Sequence, residues 1–485
     1  MSESPDQQPV AALIILAAGA GTRMKSRKSK VLHEVAGRSM LGWAVHAANG
    51  VHPQRLSVVV GHLAEQVSEY LHEFAPEATT ALQAEQHGTG HAVKCGLDPM
   101  GEFSGEVVVT YGDVPLLSAE TLQALVSEHR TAANAVTVLT ARVPDPTGYG
   151  RIVRDASGRI VEIVEDRDAD ESQKQIDEIN SGIYVFDAEL LRAGLAQLGS
   201  SNAQGEQYLT DVLGYAVSRD LPVGGYVTED PWETEGVNDR QQLARLDHEA
   251  NRRQLVRWMK AGVTIVDPLS TRITADVGLG IDVTLQPGTI LSGATTVGDG
   301  AEIGPDTRLH DTEVGAEASV IRTEANLAVI GERAVVGPFT YLRPGAELGT
   351  GAKAGAFVEV KASTIGEGAK VPHLSYIGDT TIGERANVGA GTIVANYDGV
   401  AKHRTLIGKA SFIGCGTTLI APVEVAAGTY IAAGSTITEA VPAGDLGVAR
   451  GRQRNVEGWV AKRRAGTRTA AAAEEAASGS SPVGE

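Results

Sequence analysis

The stretch IGERAVVGPFTYLRPGAELGTGAKAGAFVEV (Ile330–Val360) decides the fold of the C-terminal part of this chain. An aliphatic residue returns at every sixth position, in the order Ile330, Val336, Leu342, Leu348, Ala354 and Val360. A six-residue period fits neither an α-helix nor the alternation along one long strand. It is typical of a parallel β-helix, in which each hexapeptide forms one short side and three sides close a coil. Positions separated by three hexapeptides then lie on neighbouring coils, about 4.8 Å from each other.

The same period extends over the region from Thr264 to Ile437. A second unbroken series has the members Ile407, Ile413, Leu419, Val425, Ile431 and Ile437. One aliphatic side chain per side points inward, so stacked coils share a continuous core. The sequence therefore predicts a hexapeptide-repeat β-helix from about residue 262.

Composition limits the class of protein. A chain of 485 residues suggests two or three domains, and its formal net charge of −18 argues against a nucleic-acid partner or an anionic membrane surface. The two cysteines, Cys95 and Cys415, fall in different predicted domains, which favours a reducing compartment over a disulfide framework. The first apolar run, residues 11–20, is too short to span a bilayer, and no basic region precedes it. We expect a soluble cytoplasmic protein.

The chain up to Asn238 alternates strands with helices, which predicts an open α/β sheet. The β-rich runs are Val10–Leu16, Leu56–Val60, Glu106–Thr110 and Ala135–Ala141. Residues 239–260 have helical spacing, and Asn238 or Asp239 could cap that helix. The predicted organisation is a sheet domain over 1–240, a linker helix over 241–261, a repeat domain over 262–461 and a disordered tail over 462–485.

A glycine-rich loop, LAAGAGTRM (Leu16–Met24), follows the first predicted strand. Gly19 and Gly21 would let backbone N–H groups close around an anion, and Arg23 and Lys30 supply positive charge. A tight strand-to-helix turn without ligand explains such a loop about equally well. A Walker loop is excluded because no Gly-Lys-Ser/Thr follows, and Met24 disfavours a dinucleotide fingerprint.

Six further motifs follow in order within the predicted sheet domain. They are QAEQHGTGHA (Gln83–Ala92), YGDVPL (Tyr111–Leu116), GYGRIVR (Gly148–Arg154), IVEDRDA (Ile163–Ala169), INSGIY (Ile179–Tyr184) and EGVND (Glu235–Asp239). With the glycine-rich loop, they closely resemble the sugar-1-phosphate nucleotidyltransferases. The resemblance is specifically to the uridyltransferase half of the bifunctional N-acetylglucosamine-1-phosphate uridyltransferase/glucosamine-1-phosphate acetyltransferase family.

This resemblance implies a site for UTP and UDP-N-acetylglucosamine. Its residues would be Leu16, Ala17, Ala18, Gly19, Lys30, Gln83, Gly88, Thr89, Tyr111, Gly112, Asp113, Gly150, Glu165, Asn180 and Asn238. Among them, Gln83, Gly88 and Thr89 would hold the uracil, and Gly150, Glu165 and Asn180 the N-acetylglucosamine. The resemblance also implies that Arg23 and Lys30 are catalytic and that Asp113 and Asn238 bind Mg²⁺.

The physical chemistry of two positions supports or qualifies these roles. Asp113 follows an apolar strand and should lie at a carboxyl edge, where open α/β sheets place their ligands. Its carboxylate is a hard oxygen ligand of the kind that Mg²⁺ prefers. One position departs from the family, which usually has proline before the reactive lysine where this chain has Ser29. We expect a looser loop there.

The repeat domain has its own candidate site. Arg343 and Lys361 are separated by three hexapeptides, so two cations should stack on adjacent coils, and their repulsion predicts an anionic partner. The segment Asn396–Arg404 breaks the period and must project as a loop. His373 lies beside a one-residue slip in the period, between Ile377 and Ile382.

The segment from Tyr341 to Tyr397 resembles the acetyltransferase half of the same bifunctional family. It contains YLRPGAELG, FVEVKAS, HLSYIGD and ANVGAGTIVANYDG. The resemblance, and not the six-residue period, implies a left-handed β-helix and a homotrimer. It also implies that His373 is the general base for the sugar amine, with Glu359 as a candidate orienting carboxylate.

The remaining roles in this half are implied in the same way. Arg343 and Lys361 would bind the sugar phosphate. The sugar and acetyl pocket would be lined by Tyr376, Asn387, Asn396 and Tyr397, the last two also contacting acetyl-CoA. Further acetyl-CoA contacts would be Ala390, Cys415, Ala433 and Arg450. The family commonly has serine where this chain has Cys415, and direct acetyl transfer needs no covalent enzyme intermediate, so this thiol is not expected to be a nucleophile.

Three functions account for the sequence. The first is a two-step enzyme that acetylates glucosamine-1-phosphate from acetyl-CoA and couples the product to UTP with Mg²⁺, giving UDP-N-acetylglucosamine for the cell envelope. The second is a nucleotidyltransferase whose β-helix only assembles subunits. The third is a non-enzymatic nucleotide-sugar sensor, against which the intact Arg23, Lys30, Asp113 and Asn238 argue. The loop at Asn396 and His373 favours the first.

Overall fold

The computed structural model of the protein describes residues 8–200, 202 and 204–479. They divide into two compact units, Met1–Asn326 and Leu327–Glu485. The division between these units falls within the repeat region, and the first coils are hydrogen-bonded to the sheet domain. For example, Ala275 donates a backbone hydrogen bond to Ala36 at 2.8 Å, and the Asn251 amide donates to Thr271 at 3.0 Å.

The first unit contains a nine-stranded mixed sheet and a small hairpin. The strands are β1 (Ala12–Ala17), β2 (Glu34–Val35), β3 (Arg38–Ser39), β4 (Leu56–Val60), β5 (Thr79–Leu82), β6 (Glu106–Tyr111), β7 (Val136–Arg142), β8 (Arg151–Arg154), β9 (Ile160–Val164), β10 (Glu178–Asp187) and β11 (Val223–Val227). The order in the sheet is β11-β7-β10-β6-β1-β4-β5, with β8 and β9 beside β10, while β2 and β3 form the hairpin. Strand β1 runs parallel to both β4 and β6, so their carboxyl ends meet at one edge.

Helices flank this sheet. They are α1 (Met40–Asn49), α2 (Ala64–Phe74), α3 (Thr89–Leu97), α4 (Ala119–Thr131), α5 (Ala188–Leu195), α6 (Thr210–Val217) and α7 (Arg240–Lys260). Short 3₁₀ turns occur at Thr22–Met24, Lys30–Leu32, Asp98–Met100, Gln173–Gln175 and Pro231–Thr234. Alternate residues of β1 face two different cores, Leu13 and Ile15 one and Ala12 and Ile14 the other. The sheet is therefore covered on both faces, as expected for an open α/β domain.

The predicted strands are present, with small changes at their ends. Strand β4 has the predicted bounds, β6 ends one residue later than predicted, and β1 and β7 differ by one or two residues at both ends. Strand β10 is antiparallel to both β6 and β7, which the strand-helix alternation did not predict. The long helix begins at Arg240, and Asp239 is its cap, accepting hydrogen bonds from the N–H groups of Gln241 and Gln242.

The first unit also contains the first coils of the repeat region. Three parallel ladders contain these strands: Thr264–Ile265, Thr284–Leu285, Glu302–Ile303 and Ser319–Val320; Arg272–Ile273, Ile290–Ser292, Arg308–His310 and Thr323–Asn326; Gly278–Leu279, Thr296–Val297 and Glu313–Val314. Each coil thus has three short parallel sides.

The second unit repeats this arrangement. Its three ladders contain the following strands: Val335–Val336, Lys353–Ala356, Lys370–His373, Asn387–Val388, Phe412–Ile413, Tyr430–Ile431 and Leu446–Gly447; Thr340–Leu342, Glu359–Lys361, Tyr376–Gly378, Ile393–Ala395, Thr418–Ile420 and Thr436–Ile437; Val329–Ile330, Ala346–Leu348, Ser363–Ile365, Thr380–Ile382, Thr405–Ile407 and Val423–Val425. All members of both aliphatic series are buried. The predicted fold class, a Rossmann-like α/β domain with a left-handed parallel β-helix, is confirmed.

The predicted irregularities of the repeat have structural counterparts. Leu342 pairs with Val360, three full hexapeptides later, but Ile365 pairs with Ile382 one residue earlier than that period requires, so the slip between Ile377 and Ile382 shortens a coil by one residue. Ile393 pairs with Thr418, because the intervening coil contains the projecting loop.

The predicted disordered tail over 462–485 needs correction where the structure describes it. Two helices, α8 (Trp459–Arg463) and α9 (Arg468–Gly479), occupy most of this region. The run of alanines in α9 has high intrinsic helix propensity, which outweighs the absence of an apolar repeat. Residues 480–485 lie outside the described residues. None of the helices in the described chain is sufficiently long and apolar to cross a membrane.

Candidate active sites

The glycine-rich loop begins where β1 ends and seats Lys30. Gly21 has φ of 58°, a left-handed conformation that favours glycine. A Cβ atom at Gly21 would lie only 2.7 Å from Cβ of Lys30, so the absence of a side chain lets the lysine stem pack against the loop. The glycine therefore has a steric role that a simple turn would not require.

A cavity of about 270 Å³ opens beside this loop at the carboxyl ends of the strands. Ten of its lining residues were predicted to bind the nucleotide or the sugar: Leu16, Ala17, Ala18, Gly19, Lys30, Gln83, Gly88, Thr89, Tyr111 and Asp113. Four lining residues were not predicted: Val31, Gln86, Ala92 and Glu206. Gln86 lies in a motif quoted above, whereas Glu206 had no signal in the sequence, since tertiary packing alone brings it there.

Lys30 and Asp113 form an ion pair in this cavity although 83 residues separate them. The side chains are only 12% and 18% exposed, so the pair is largely shielded from water. Asp113 is held at its backbone as well, because its carbonyl accepts a hydrogen bond from the Val237 N–H at 2.9 Å. This bond brings the neighbouring Asn238 to Asp113.

The predicted metal ligands Asp113 and Asn238 are therefore close in space. A carboxylate and a side-chain amide oxygen are hard donors that suit Mg²⁺, which typically takes its other ligands from phosphates and waters. Across the described chain, no group of three or more His, Cys, Asp or Glu residues could hold a metal ion. The donor set fits an ion brought in with a nucleotide better than a permanent metal centre.

One wall of the cavity is built around the start of α3. Gln83 is buried, and its amide donates to the Gly88 carbonyl at 3.1 Å. Gly88 has φ of 108°, and a Cβ there would lie 2.5 Å from the Gln207 carbonyl oxygen. The Thr89 hydroxyl accepts the N–H of Leu209 at 3.0 Å. The three predicted uracil residues thus lie together and are fixed by hydrogen bonds and close packing.

The predicted sugar residues form a second group, outside the lining of the cavity. Asn180 donates its N–H to Gly150 at 2.8 Å, and its side-chain oxygen accepts the Tyr184 hydroxyl at 2.9 Å. Burial, with the nearby carboxylates of Asp168 and Asp211, raises the pKa of Glu165. Burial first, then the charges of Asp113 and Glu165, raises the pKa of Tyr111. Tyr111 therefore lies within range of the charges of both Asp113, at the cavity, and Glu165, in the second group.

Arg23 and Gly112 also lie outside the lining of the cavity, and one expectation about the loop changes. Arg23 is exposed on the turn Thr22–Met24 and does not line the cavity. Gly112 packs behind the wall, donating its N–H to Leu16 at 2.9 Å. Ser29, where a looser loop was expected, is buried, and its N–H donates to Gln66 at 3.1 Å.

In the second unit, the stacked cations each have a carboxylate partner within the chain. Arg343 lies 2.9 Å from Glu359, and Lys361 lies 3.0 Å from Asp379. Glu359 accepts a hydrogen bond from the guanidinium of Arg343, and its expected role as the orienting carboxylate for His373 stays a prediction. The anionic partner that the two stacked cations predicted is therefore supplied in part by carboxylates of the same chain.

Asp379 and Lys402 are functional candidates that the sequence analysis missed. Asp379 accepts hydrogen bonds from both Lys361 and Asn396, and these partners hold the pKa of its carboxyl below the ordinary value. Lys402, on the projecting loop, has a lowered pKa, mainly through its contact with Lys361. Asp379 directly follows Gly378, the residue that pairs in register with Lys361, so its position beside Lys361 depends on the shortened coil and not on the hexapeptide spacing alone.

His373 ends the strand Lys370–His373 and is exposed. Its carbonyl accepts a hydrogen bond from the Ser375 hydroxyl at 2.7 Å. Among the described residues, none hydrogen-bonds to its imidazole, so the ring nitrogens are available to a substrate. Tyr376 begins the next strand, where it is paired in register with Glu359. Asn387 pairs with Lys370.

The predicted acetyl-CoA residues lie on successive coils. The Ala390 carbonyl accepts the N–H of Gly416, at 2.7 Å, next to Cys415. The Cys415 carbonyl accepts the N–H of Gly434, at 2.8 Å, next to Ala433. Arg450 then donates its guanidinium to the Ala433 carbonyl at 2.8 Å. These contacts arrange the four predicted positions in one row, with the Cys415 thiol free and exposed. Tyr397 is exposed on the projecting loop, and Asn396 is buried at its base.

Comparison with known proteins agrees with this architecture. Residues 12–239 match the family described as "Nucleotidyl transferase". The bifunctional protein GlmU of Streptomyces avermitilis is 54% identical over 468 residues, which cover 96% of this chain and 97% of that protein. The GlmU proteins of Corynebacterium efficiens and Streptomyces coelicolor are 52% and 53% identical, each over 96% of this chain. Because identity at this level runs through both units, the chain belongs to the family of bifunctional GlmU proteins.

Proposed function

We propose that this chain makes UDP-N-acetylglucosamine in two steps, one in each half. The repeat domain transfers the acetyl group of acetyl-CoA to the amine of glucosamine-1-phosphate. The N-terminal domain then transfers a uridylyl group from UTP to N-acetylglucosamine-1-phosphate and releases pyrophosphate. The observation that carries this proposal is the shielded Lys30–Asp113 pair inside a cavity whose walls contain the predicted nucleotide residues.

Uridylyl transfer in this cavity depends on positioning and on neutralisation of charge. A phosphate oxygen of the sugar attacks the α-phosphorus of UTP, the new P–O bond forms, and the bond to pyrophosphate breaks. Lys30 supplies positive charge to the phosphates from a largely water-excluded position, where it acts more strongly than in bulk water. Gln83, Gly88 and Thr89 hold the base at the start of α3, while Gly150, Glu165 and Asn180 hold the sugar.

Magnesium fits the donors at this site. Asp113 and Asn238 would hold the ion, with the remaining ligands coming from the nucleotide and water. Bound there, it would neutralise phosphate charge. Arg23 is on an exposed turn, and its proposed contribution is a contact with the triphosphate once the nucleotide is bound.

Acetyl transfer needs a base near the amine and cations near the phosphate. The amine nitrogen of the sugar attacks the thioester carbonyl, the imidazole of His373 takes the proton from nitrogen, and the coenzyme A thiolate leaves and is protonated. Arg343 and Lys361 hold the sugar phosphate, and the row from Ala390 to Arg450 lies along acetyl-CoA. The free ring nitrogens of His373 support its assignment as the base.

The acetyltransferase site would be completed by other subunits. A single β-helix coil has a small cross-section and cannot enclose both a sugar phosphate and the pantetheine arm. A homotrimer with sites in the grooves between neighbouring β-helices would supply the missing wall. The substrates are soluble metabolites, and we place the enzyme in the cytoplasm, acting on no nucleic acid or membrane, as a supplier of cell-envelope precursor.

One coupled assay tests the proposal against its alternatives. The full chain is supplied with glucosamine-1-phosphate, acetyl-CoA, UTP and Mg²⁺, and both products are followed. Formation of UDP-N-acetylglucosamine from all four supports the two-step enzyme. If UDP-N-acetylglucosamine forms from N-acetylglucosamine-1-phosphate and UTP but not from glucosamine-1-phosphate, acetyl-CoA and UTP, the β-helix would be only an assembly domain. If neither set of substrates gives any product, the non-enzymatic sensor would be favoured.

A further inference from the structure

The loop that leads into Lys30 is held by one side chain of α2. The loop KSRKSK (Lys25–Lys30) carries four cations and few apolar groups. Gln66, in the first turn of α2, donates its amide to the Arg27 carbonyl at 3.1 Å. Its side-chain oxygen accepts the N–H of Ser29, also at 3.1 Å. One planar carboxamide therefore bridges two backbone groups that lie two positions apart.

Ser29 is fixed on both sides by these contacts. Its own carbonyl accepts the N–H of Leu32 at 3.1 Å, which starts the turn Lys30–Leu32. Ser29 is buried, although its neighbours Arg27 and Lys28 are exposed. Because a lysine side chain is long and flexible, the position of its backbone limits where its ammonium group can be held.

We propose that Gln66 is a positioning residue for uridylyl transfer, acting through Ser29 to hold Lys30 in the nucleotide cavity. The proposal rests on the proposed function of the N-terminal domain. Lys30 must reach Asp113 across the cavity while its stem packs against Gly21, so a small displacement of the loop would move the ammonium group. Displacements of about 1 Å can lower a rate about 100-fold.

The backbone of Ser29 provides a sharp test. Its φ of −53° and ψ of 141° lie in the range that a proline ring imposes. A proline there would rigidify the backbone without any N–H for Gln66 to accept. If Gln66 acts by fixing Ser29, its removal should lower kcat for uridylyl transfer in the natural chain. After Ser29→Pro, the same removal should change kcat little.

The experiment compares the full-length wild type, Gln66→Ala, Ser29→Pro and the double variant. Gln66→Ala should lower kcat for uridylyl transfer about tenfold, with a smaller change in the KM for UTP, because Lys30 acts in the transition state. In the Ser29→Pro background, the same change should cost less than about twofold. Acetyl transfer should be unchanged in all four proteins.

A second readout follows the loop itself. Trypsin cleaves after Arg27 and Lys28, and the rate of nicking at these two bonds should rise several-fold in Gln66→Ala relative to the wild type. Gln123→Ala is the matched control, since Gln123 also donates its side-chain amide to a backbone carbonyl, that of Gly50 at 2.7 Å, far from this loop in sequence.

The following results would overturn the proposal. If Gln66→Ala matched Gln123→Ala in both kcat and nicking, or lost the same activity with and without Ser29→Pro, the side chain would not act through Ser29. A wild-type chain that forms no UDP-sugar would overturn the proposed function, and this proposal with it. Normal wild-type turnover with an unaffected Gln66→Ala would overturn the positioning role alone.

Discussion

The ammonium group of Lys361 lies 3.0 Å from a carboxylate oxygen of Asp379, which lies on the adjacent coil directly after Gly378, the residue in register with Lys361. The same carboxylate accepts a hydrogen bond from the buried side chain of Asn396. One acidic residue therefore orients a predicted phosphate-binding cation and a predicted pocket residue. The hexapeptide period makes this possible, because it brings residues distant in sequence to neighbouring strands.

Asp379→Ala should lower kcat/KM for acetyl transfer about 10- to 100-fold, because Lys361 and Asn396 lose their common partner. Acetyl-CoA consumption at varied glucosamine-1-phosphate measures the effect. Glu384→Gln is the control, since it breaks the exposed Lys409–Glu384 pair of 2.6 Å and should change little. Equal losses in the two variants would show that Asp379 supports only the stability of the coil.

His373→Asn should reduce acetyl transfer about 10²- to 10⁴-fold, the usual contribution of a general base, and leave uridylyl transfer unchanged. Both activities are measured on the same preparation. His310→Asn removes another exposed imidazole, one that contacts Asp311 at 3.0 Å, and should have no such effect. An active His373→Asn enzyme would assign the base to another group.

Asp113→Asn should lower the rate of UDP-sugar formation about 100-fold or more and leave acetylation nearly intact. The amide removes the charge that pairs with Lys30 and binds a hard cation less well than a carboxylate. Pyrophosphate release at several Mg²⁺ concentrations measures the change. Asp155→Asn, at an exposed turn, is the matched control. A parallel fall in acetylation would contradict the division of labour between the halves.

Glu165→Gln should raise the stability of the protein above about pH 4.5 while weakening the binding of N-acetylglucosamine-1-phosphate. Burial raises the pKa of Glu165 above its ordinary value of 4.5. Between the unfolded and folded pKa values the native state holds the extra proton, so stability falls as pH rises through this window. Below it, both states are protonated and the substitution should be nearly neutral.

Thermal unfolding of wild type and variant from pH 4 to pH 8 measures this difference, and the KM for the sugar phosphate is measured alongside. Comparing the two proteins cancels the contributions of other carboxyls with raised pKa, such as Glu233 and Glu235. A stability difference that does not change with pH would show that Glu165 does not titrate in this window.

Mixed trimers should recover part of the acetyltransferase activity that each of two variants lacks. His373→Ala and Arg450→Ala subunits are unfolded, mixed and reassembled, and the activity is compared with each homotrimer. If the two residues lie on opposite walls of a shared site, some sites in mixed trimers contain neither defect. An active monomer in sedimentation would rule out the shared site, and no recovery in verified mixed trimers would place both residues on one wall.

The sequence by itself determined the two architectures. The six-residue period specified the coils because each hexapeptide forms one side of a β-helix and buries one aliphatic side chain. The backbone geometry alone sets this repeat. The spacing of Arg343 and Lys361, three hexapeptides, placed them on adjacent coils for the same reason. Asp113 was likewise placed at a carboxyl edge of the sheet because it follows an apolar strand, whereas the site of Gln83, Gly88 and Thr89 was implied by the family resemblance.

Only the tertiary structure decided which groups pair. Glu359 pairs with Arg343, and Asp379 accepts hydrogen bonds from both Lys361 and Asn396. The side chain of Gln66 accepts the N–H of Ser29. These contacts depend on side-chain direction and on packing between elements far apart in sequence, which local patterns do not encode. In α9, by contrast, a local property of the sequence decided the structure. Its alanines have high helix propensity, and a helix forms although the segment has no apolar repeat.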